Sequence, residues 1–185
     1  MAEEISWEEI KQMFRDTDAK FKETDAKFKE TDAKFKETDK RIKQAFELFE
    51  SQWGKLIESL VEGDLVRVLN ERDIAIHRTS TRVKGKYGDT DYEFDIIAHN
   101  GNEIVVTEVK TTLRSKHVKT FLQQLEQVKT WMSEYTNHKV YGAVAFLHSE
   151  QESERMAEKR GLFVIRATGD SAAIVNDPDF RPKAF

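Results

Sequence analysis

The sequence predicts a mixed α/β sheet with helices on its faces, preceded by a long N-terminal helix built as a coiled coil. Three observations carry this. A seven-residue repeat fills the first part of the chain, three strand-like runs then follow around an Asn-Gly dipeptide, and beyond them helical and strand periodicities alternate.

The repeat comes first. DTDAKFK, ETDAKFK, ETDAKFK and ETDKRIK follow one another from Asp16 to Lys43. Phe14, Phe21, Phe28, Phe35, Ile42 and Phe49 share one heptad position, and Thr17, Thr24, Thr31, Thr38 and Ala45 fall three residues later. A strict seven-residue period implies a left-handed coiled coil. Glu23–Lys27, Glu30–Lys34 and Glu37–Arg41 add acid-before-base pairs at i,i+4. Ser6 and Glu9 are spaced as a capping box, with Ile5 and Ile10 placed as a hydrophobic staple. A lone charged helix or a disordered tract would accommodate the charges but leave the phenylalanine stripe uncovered, so self-association is expected. Threonine is a poor core residue, which makes the seam weak. The coiled coil is assigned to residues 1–52 and the globular domain to 53–185.

Helical periodicity continues through Trp53, Leu56, Ile57, Leu60, Val61, Leu65, Val68 and Leu69, with Gly54 and Gly63 expected to interrupt it. IAIHRT, YEFDIIAH and NEIVVTEVKT read as three strands, the last two joined by a two-residue Asn100-Gly101 turn. TSTRVKGKYG, between the first two, reads as a flexible glycine-bearing segment. A helix from Ser115 to Tyr135 follows, then the strand KVYGAVAFLH, the helix ESERMAEKR stopped by Gly161, and the strand LFVIRA.

Composition narrows the function classes. With 30 basic and 34 acidic residues the formal net charge is −4, so binding to nucleic acid requires a local basic patch. The absence of cysteine excludes a disulfide scaffold, a thiolate zinc site and a cysteine nucleophile. No apolar run is long enough to span a membrane, and the opening MAEEISWEEI lacks a signal-peptide pattern, so a soluble cytoplasmic protein is expected. The five histidines show no ligand spacing, which leaves His99 and His148 as surface or strand-end residues. No glycine-rich phosphate loop or nucleophile elbow is present.

VVTEVKTTL is the informative stretch. Ile104, Val105, Val106 and Val109 mark a strand apolar on both faces, yet Glu108 and Lys110 sit on it two residues apart. Ionised groups tolerate burial only when paired or bound to a metal. The two-residue turn sets Asp95 opposite Val106 and makes Glu108 its diagonal neighbour on one face. A slip of one residue would send Asp95 to the other face. In this register Glu93 lies opposite Glu108, as an exposed strand-end charge or a further ligand. Two carboxylates offer hard oxygen ligands for magnesium or manganese, and a neighbouring lysine can orient a water and offset phosphate charge. These parts suit metal-assisted phosphodiester hydrolysis.

Glu58, Asp95, Glu108 and Lys110, with the order helix, three-strand meander, helix and strand, resemble the PD-(D/E)XK nuclease superfamily over residues 54 to 168. The heptad arm, EFDIIAHNGNEIVVTEVKTTL, VYGAVA and GLFVI are similar to an uncharacterised prokaryotic branch carrying such arms. The resemblance implies a restriction-endonuclease-like fold. It further implies Asp95 and Glu108 as ligands of Mg²⁺ (with Mn²⁺ able to substitute), Lys110 as the water-orienting group, and Glu58 as the acid from the first helix. Tyr92-Glu93-Phe94-Asp95 lacks the superfamily's proline. For Glu58 the alternative is an ordinary solvated charge, and Glu62, one turn on, points further toward solvent.

Arg72, Arg78, Arg82, Lys84 and Lys86 surround the segment between the first strands, and Arg114, Lys116, His117 and Lys119 follow Lys110. These are candidates to grip phosphates of a nucleic acid, with Gln124 a further polar site residue. The expectation is therefore a metal-dependent DNA endonuclease that associates through its coiled coil. The alternatives are a non-catalytic oligomer whose nuclease-like domain binds nucleic acid or a partner protein, and a purely structural adaptor.

Overall fold

The computed structural model describes residues 6–169 and 171–185, and the chain divides into two compact units at Phe49/Glu50.

In the first unit, residues from Trp7 onward are helical and form the beginning of α1 (Trp7–Asn70). The expected capping box is present: Ser6 N–H donates to Glu9 Oε2 at 2.7 Å, and Glu9 N–H donates to Ser6 Oγ at 3.3 Å. Ser6 N–H and Ser6 Oγ–H, both donating to Glu9 Oε2, hold the Glu9 carboxyl below its ordinary range. Ile5, the other half of the expected staple, lies outside the described residues. Two sets of i,i+4 ion pairs climb the helix. Glu23–Lys27, Glu30–Lys34 and Glu37–Arg41 close at 2.6 Å, and Asp18–Lys22, Asp25–Lys29 and Asp32–Lys36 at 2.7–2.8 Å. Phe14, Phe21, Phe28, Phe35 and Ile42 are 48–73 % exposed. The hydroxyls of Thr17, Thr24, Thr31 and Thr38 each donate to the carbonyl four residues earlier, at 2.7–2.8 Å.

In the second unit α1 continues through Gly54 and Gly63 without the expected interruption. A helical glycine costs about 1 kcal/mol relative to alanine, and burial of Ile57, Val61, Leu65, Val68 and Leu69 outweighs that. Among the described residues six strands follow in sequential order: β1 (Arg78–Tyr87), β2 (Thr90–His99), β3 (Glu103–Leu113), β4 (Lys139–Ser149), β5 (Phe163–Thr168) and β6 (Ser171–Ile174). β1, β2 and β3 form an antiparallel meander, β3, β4 and β5 run parallel, and β6 returns antiparallel. α2 (Ser115–Leu125) and α3 (Val128–Trp131) connect β3 to β4, and α4 (Gln151–Lys159) connects β4 to β5. This is the expected mixed α/β sheet with helices on its faces.

Two cores cover the sheet. Ile57, Val61 and Leu65 of α1 pack with Ile96, Val105, Val109 and Ile165, whereas Val118, Phe121, Leu125 and Ala157 pack with Ile97, Val106, Val144 and Phe146. β3 is thus apolar on both faces because both are covered. Gly142 of β4 is required by this packing, since a Cβ there would strike Leu125 Cδ1 and lie 2.6 Å from Leu162 Cδ2. α4 ends at Gly161 as expected, in a Schellman motif: at φ +82° its N–H reaches Glu158 O, and Leu162 N–H reaches Ala157 O at 3.0 Å.

Three elements differ from the sequence expectation. The segment read as a flexible connection is β1 itself, and IAIHRT supplies only its first two residues. Ile74 and Ile76 are buried, but their N–H groups go to Leu69 O and Asn70 Oδ1, tying them to the end of α1. β1 then turns into β2 over Gly88-Asp89, with Gly88 at φ +59°. The single helix expected over 115–135 is α2, α3 and a 3-10 turn at Ser133–Tyr135, because the chain tightens at Gln127, whose N–H bonds to Gln124 O. β6 was not expected; Asp64 Oδ2 fixes it by accepting Ala172 N–H at 2.5 Å.

Candidate active site

Four residues, Asn100 to Glu103, separate the paired His99 and Ile104, not two, and the last of them already opens β3. Asn100 Oδ1 accepts the N–H groups of Asn102 (3.1 Å) and Glu103 (2.7 Å), an Asx turn that lengthens the loop. His99 therefore pairs with Ile104, and Ile96 with Thr107. Against the expected register this is a shift of two residues, which preserves side-chain parity. Continued by one pair, it sets Asp95 directly opposite Glu108 rather than diagonal to it. Glu93, expected opposite Glu108, instead pairs with Lys84 of β1 at 3.0 Å.

The ladders open around Asp95. Pairing of β2 with β3 stops at Ile96, and the β1–β2 ladder omits the Arg82–Asp95 pair, with Arg82 in the left-handed region at φ +50°. In place of a backbone partner, Val109 N–H donates to Asp95 Oδ2 at 2.7 Å. Lys110 Nζ meets both acids. It forms an ion pair with Glu108 Oε1 and lies 3.9 Å from Asp95 Oδ2. The side chains of Asp95 and Glu108 are 17 % and 16 % exposed. Burial pushes the Glu108 carboxyl above its ordinary range, Asp95 adds to this, and Lys110 opposes it.

A pocket of about 380 Å³ opens over this cluster, lined by Lys55 and Glu58 of α1, Arg82 and Lys84 of β1, Asp95 and Lys110. Glu108 does not line it. Glu58 Oε2 accepts from Arg82 Nε and Nη2, each at 3.1 Å, so Glu58 is brought to the cluster's pocket as an ion-paired acid. Glu62 does not reach solvent freely: it accepts from Thr79 Oγ1 at 3.0 Å and stays outside the pocket.

The other basic candidates scatter. Lys86 stands near the β1–β2 turn, and Lys116 and Lys119 are exposed on α2. Arg114 precedes α2 and reaches Glu150 at 3.6 Å. Arg72 donates to the carbonyls of Asn176 and Asp177, where it anchors the C-terminal segment. Gln124 is half-buried on α2 and outside the pocket. Arg78 lines a second pocket, of about 320 Å³, with His77, His99, Tyr135 and His138. His99 closes β2, the strand-end alternative, but is buried and not on the surface; its Nε2 lies 3.2 Å from Ser80 Oγ and its Nδ1 3.4 Å from Tyr135 OH. Burial, Arg78 and His138 together push its pKa down. These side chains come from distant segments, so no spacing announced their meeting. Lys55 was also missed, although its i,i+3 relation to Glu58 places both on one helix face.

Among the described residues no group of three or more His, Asp or Glu is arranged to hold a metal ion. The two carboxylates nevertheless fit a hard divalent cation completed by water and phosphate oxygens. Their shared burial leaves the pair short of positive charge, which among the described residues Lys110 supplies.

The structure is similar to that of a protein of unknown function, AF1548, at 18 % identity and TM-score 0.39, covering 54 % of this chain and 53 % of that one. It is similar to a repair endonuclease from Pyrococcus abyssi at 19 % identity and TM-score 0.38, covering 58 % and 46 %. Similarity to EndoMS in a complex with double-stranded DNA is at 18 % identity and TM-score 0.36, covering 63 % and 46 %. The chain spans about half the length of these structures. No curated protein matches the sequence. No helix among the described residues is long and apolar enough to cross a membrane. The model of the Domain of unknown function (DUF8196) family matches residues 64–174, more than half of the chain, and the chain belongs to that family.

Proposed function

We propose that this protein is a metal-dependent DNA endonuclease of the PD-(D/E)XK type that hydrolyses phosphodiester bonds and self-associates through its heptad repeat. The observation that carries the reading is the gathering of Asp95, Glu108 and Lys110 where the β2–β3 ladder opens, beside a pocket that also holds Glu58. Asp95 and Glu108 would hold Mg²⁺ or Mn²⁺. When bound, such an ion supplies Lewis-acid polarisation of a phosphate oxygen and lowers the pKa of water. Lys110 orients the attacking water and takes up charge developing on the phosphate. Glu58 assists from α1 once Arg82 turns to a phosphate oxygen. Lys55, Arg82 and Lys84 are the pocket's phosphate contacts, with Lys86, Arg114, Lys116, Lys119 and Arg78 further along the surface.

One observation favours a second, non-catalytic reading, in which the domain binds nucleic acid or a partner protein. Lys110, Arg82 and Lys84 are each ion-paired with an acid of the site, so each must give up that partner before it meets a phosphate. The test is cleavage of single-stranded, duplex and branched DNA with magnesium, manganese or EDTA, comparing wild type with Lys110→Ala and Asp95→Asn. Cutting that requires the metal and is lost in both folded variants is expected. Absence of cutting with salt-sensitive DNA binding retained would replace this reading with the second.

A further inference from the structure

We propose that the heptad helix pairs with a second copy of this chain in a parallel, in-register seam. This rests on the self-association proposed above and adds its direction. With Phe14, Phe21, Phe28, Phe35 and Ile42 at position a, the d positions are Thr17, Thr24, Thr31 and Thr38. In the four heptads from Phe14 to Arg41 the e positions are Asp18, Asp25, Asp32 and Asp39, all acidic. The g positions are Lys20, Lys27, Lys34 and Arg41, all basic.

That segregation selects a direction. In a parallel pair each g residue faces the e residue of the next heptad on the other chain, so Lys20 meets Asp25, Lys27 meets Asp32 and Lys34 meets Asp39, and the reverse by symmetry. In an antiparallel pair g faces g and e faces e, which sets basic residues on basic and aspartate on aspartate along those four heptads. The pairs within one helix do not remove this preference. Lys27 and Lys34 pair with Glu23 and Glu30, and Asp25 and Asp32 with Lys29 and Lys36, but these exposed pairs are worth only about a few tenths of a kcal/mol each, so a g or e side chain exchanges such a partner for one across the seam at little cost.

The d-position threonines fit the same seam. A hydroxyl buried without a partner is costly, but each of these already donates to the carbonyl four residues earlier. The exposed apolar stripe at a supplies the area to be covered. Register follows from the end of the repeat. Ile42 replaces phenylalanine at a and Ala45 replaces threonine at d, so a slip of one heptad loses an apolar layer and a set of charge contacts without gaining another. In this direction both chains leave the seam at the same end.

The sequence has no cysteine, so single cysteines report the seam directly. The full chain is made as Thr17→Cys and as Thr38→Cys, one carrying a mass tag, and oxidised alone and mixed. The expected result is that each variant cross-links to itself and that no 17-to-38 product forms in the mixture. A 17-to-38 product as the main species would overturn the parallel direction while keeping self-association. A monomer of the wild type by light scattering would overturn self-association itself, and an oligomer giving neither cross-link would overturn the in-register seam. Helix content by circular dichroism confirms that each variant is folded. As a separate arm, K20E/K27E/K34E turns every named g–e contact repulsive and should weaken association by about tenfold or more. An unchanged dissociation constant would refute the charge argument. None of these readouts depends on nuclease activity.

Discussion

Replacing Lys110 by methionine isolates the electrostatics of the candidate site, because the change keeps the aliphatic stem and removes a cation shared by Asp95 and Glu108. At 3.9 Å from Asp95 Oδ2, the Lys110 ammonium contributes about 4 kcal/mol with an effective dielectric near 20. The lysine side chain is 34 % exposed, and solvent screening reduces that to about 2 kcal/mol. Its contact with Glu108 adds a similar amount, and loss of the ammonium's own desolvation offsets part of the sum. The expected net loss is about 3 kcal/mol in EDTA, read from urea unfolding followed by tryptophan fluorescence. Magnesium at about a hundred times its Kd should return about 2.7 kcal/mol if the two carboxylates hold it. Adding Glu108→Gln to the variant should recover much of the loss without metal, since the remaining acid no longer faces another. Equal stability of wild type and Lys110→Met in EDTA would refute the electrostatic account. Failure of magnesium to stabilise either form would refute the metal site.

Three further outcomes follow from the packing. Gly142→Ala should destabilise the domain by about 1–3 kcal/mol, because the added methyl meets Leu125 and Leu162; an unchanged unfolding midpoint would show that α2 is free to move away. Thr107→Val should be neutral or stabilising by about 1 kcal/mol, since Thr107 Oγ1 is buried without a hydrogen-bond partner; a loss of stability would mean the hydroxyl is satisfied after all. Asp64→Ala should cost about 1–2 kcal/mol at neutral pH. The Ala172 N–H bond, with Arg67 contributing, holds the Asp64 carboxyl below its ordinary value of 3.8. Its stabilisation is therefore complete above about pH 4 and disappears as pH falls through the lowered folded value, so wild-type and variant curves should converge only in that acid range. Parallel curves throughout would refute the assignment.

What the sequence disclosed was mostly local or governed by parity. The capping box at Ser6, the ion-pair ladder and the Gly161 stop each depend on residues a few positions apart. Asp95 and Glu108 were legible together for a different reason. Strand side chains alternate with period two, so an expected loop two residues too short still left the acids on one face. The loop length itself depends on Asn100 turning its side chain onto two backbone N–H groups, which Asn-Gly alone does not announce. β1 was missed because it is an edge strand whose exposed positions carry Arg, Lys and Thr, with no apolar alternation to mark it. The break at Gln127 involves neither glycine nor proline. The meeting of His77, His99 and His138 is tertiary and has no signature in spacing.

Asp95 has two jobs, and this affects how any loss of activity is interpreted. Its carboxylate takes the hydrogen bond that a neighbouring strand would have supplied to Val109, so the sheet relies on it as an acceptor as well as on its charge. Truncation to alanine removes both at once, and an inactive Asp95→Ala protein would be as consistent with a frayed β3 as with a missing ligand. Asparagine retains an oxygen able to accept from Val109 while removing the charge. Comparing the two substitutions therefore separates architecture from chemistry at a residue where the fold has fused them.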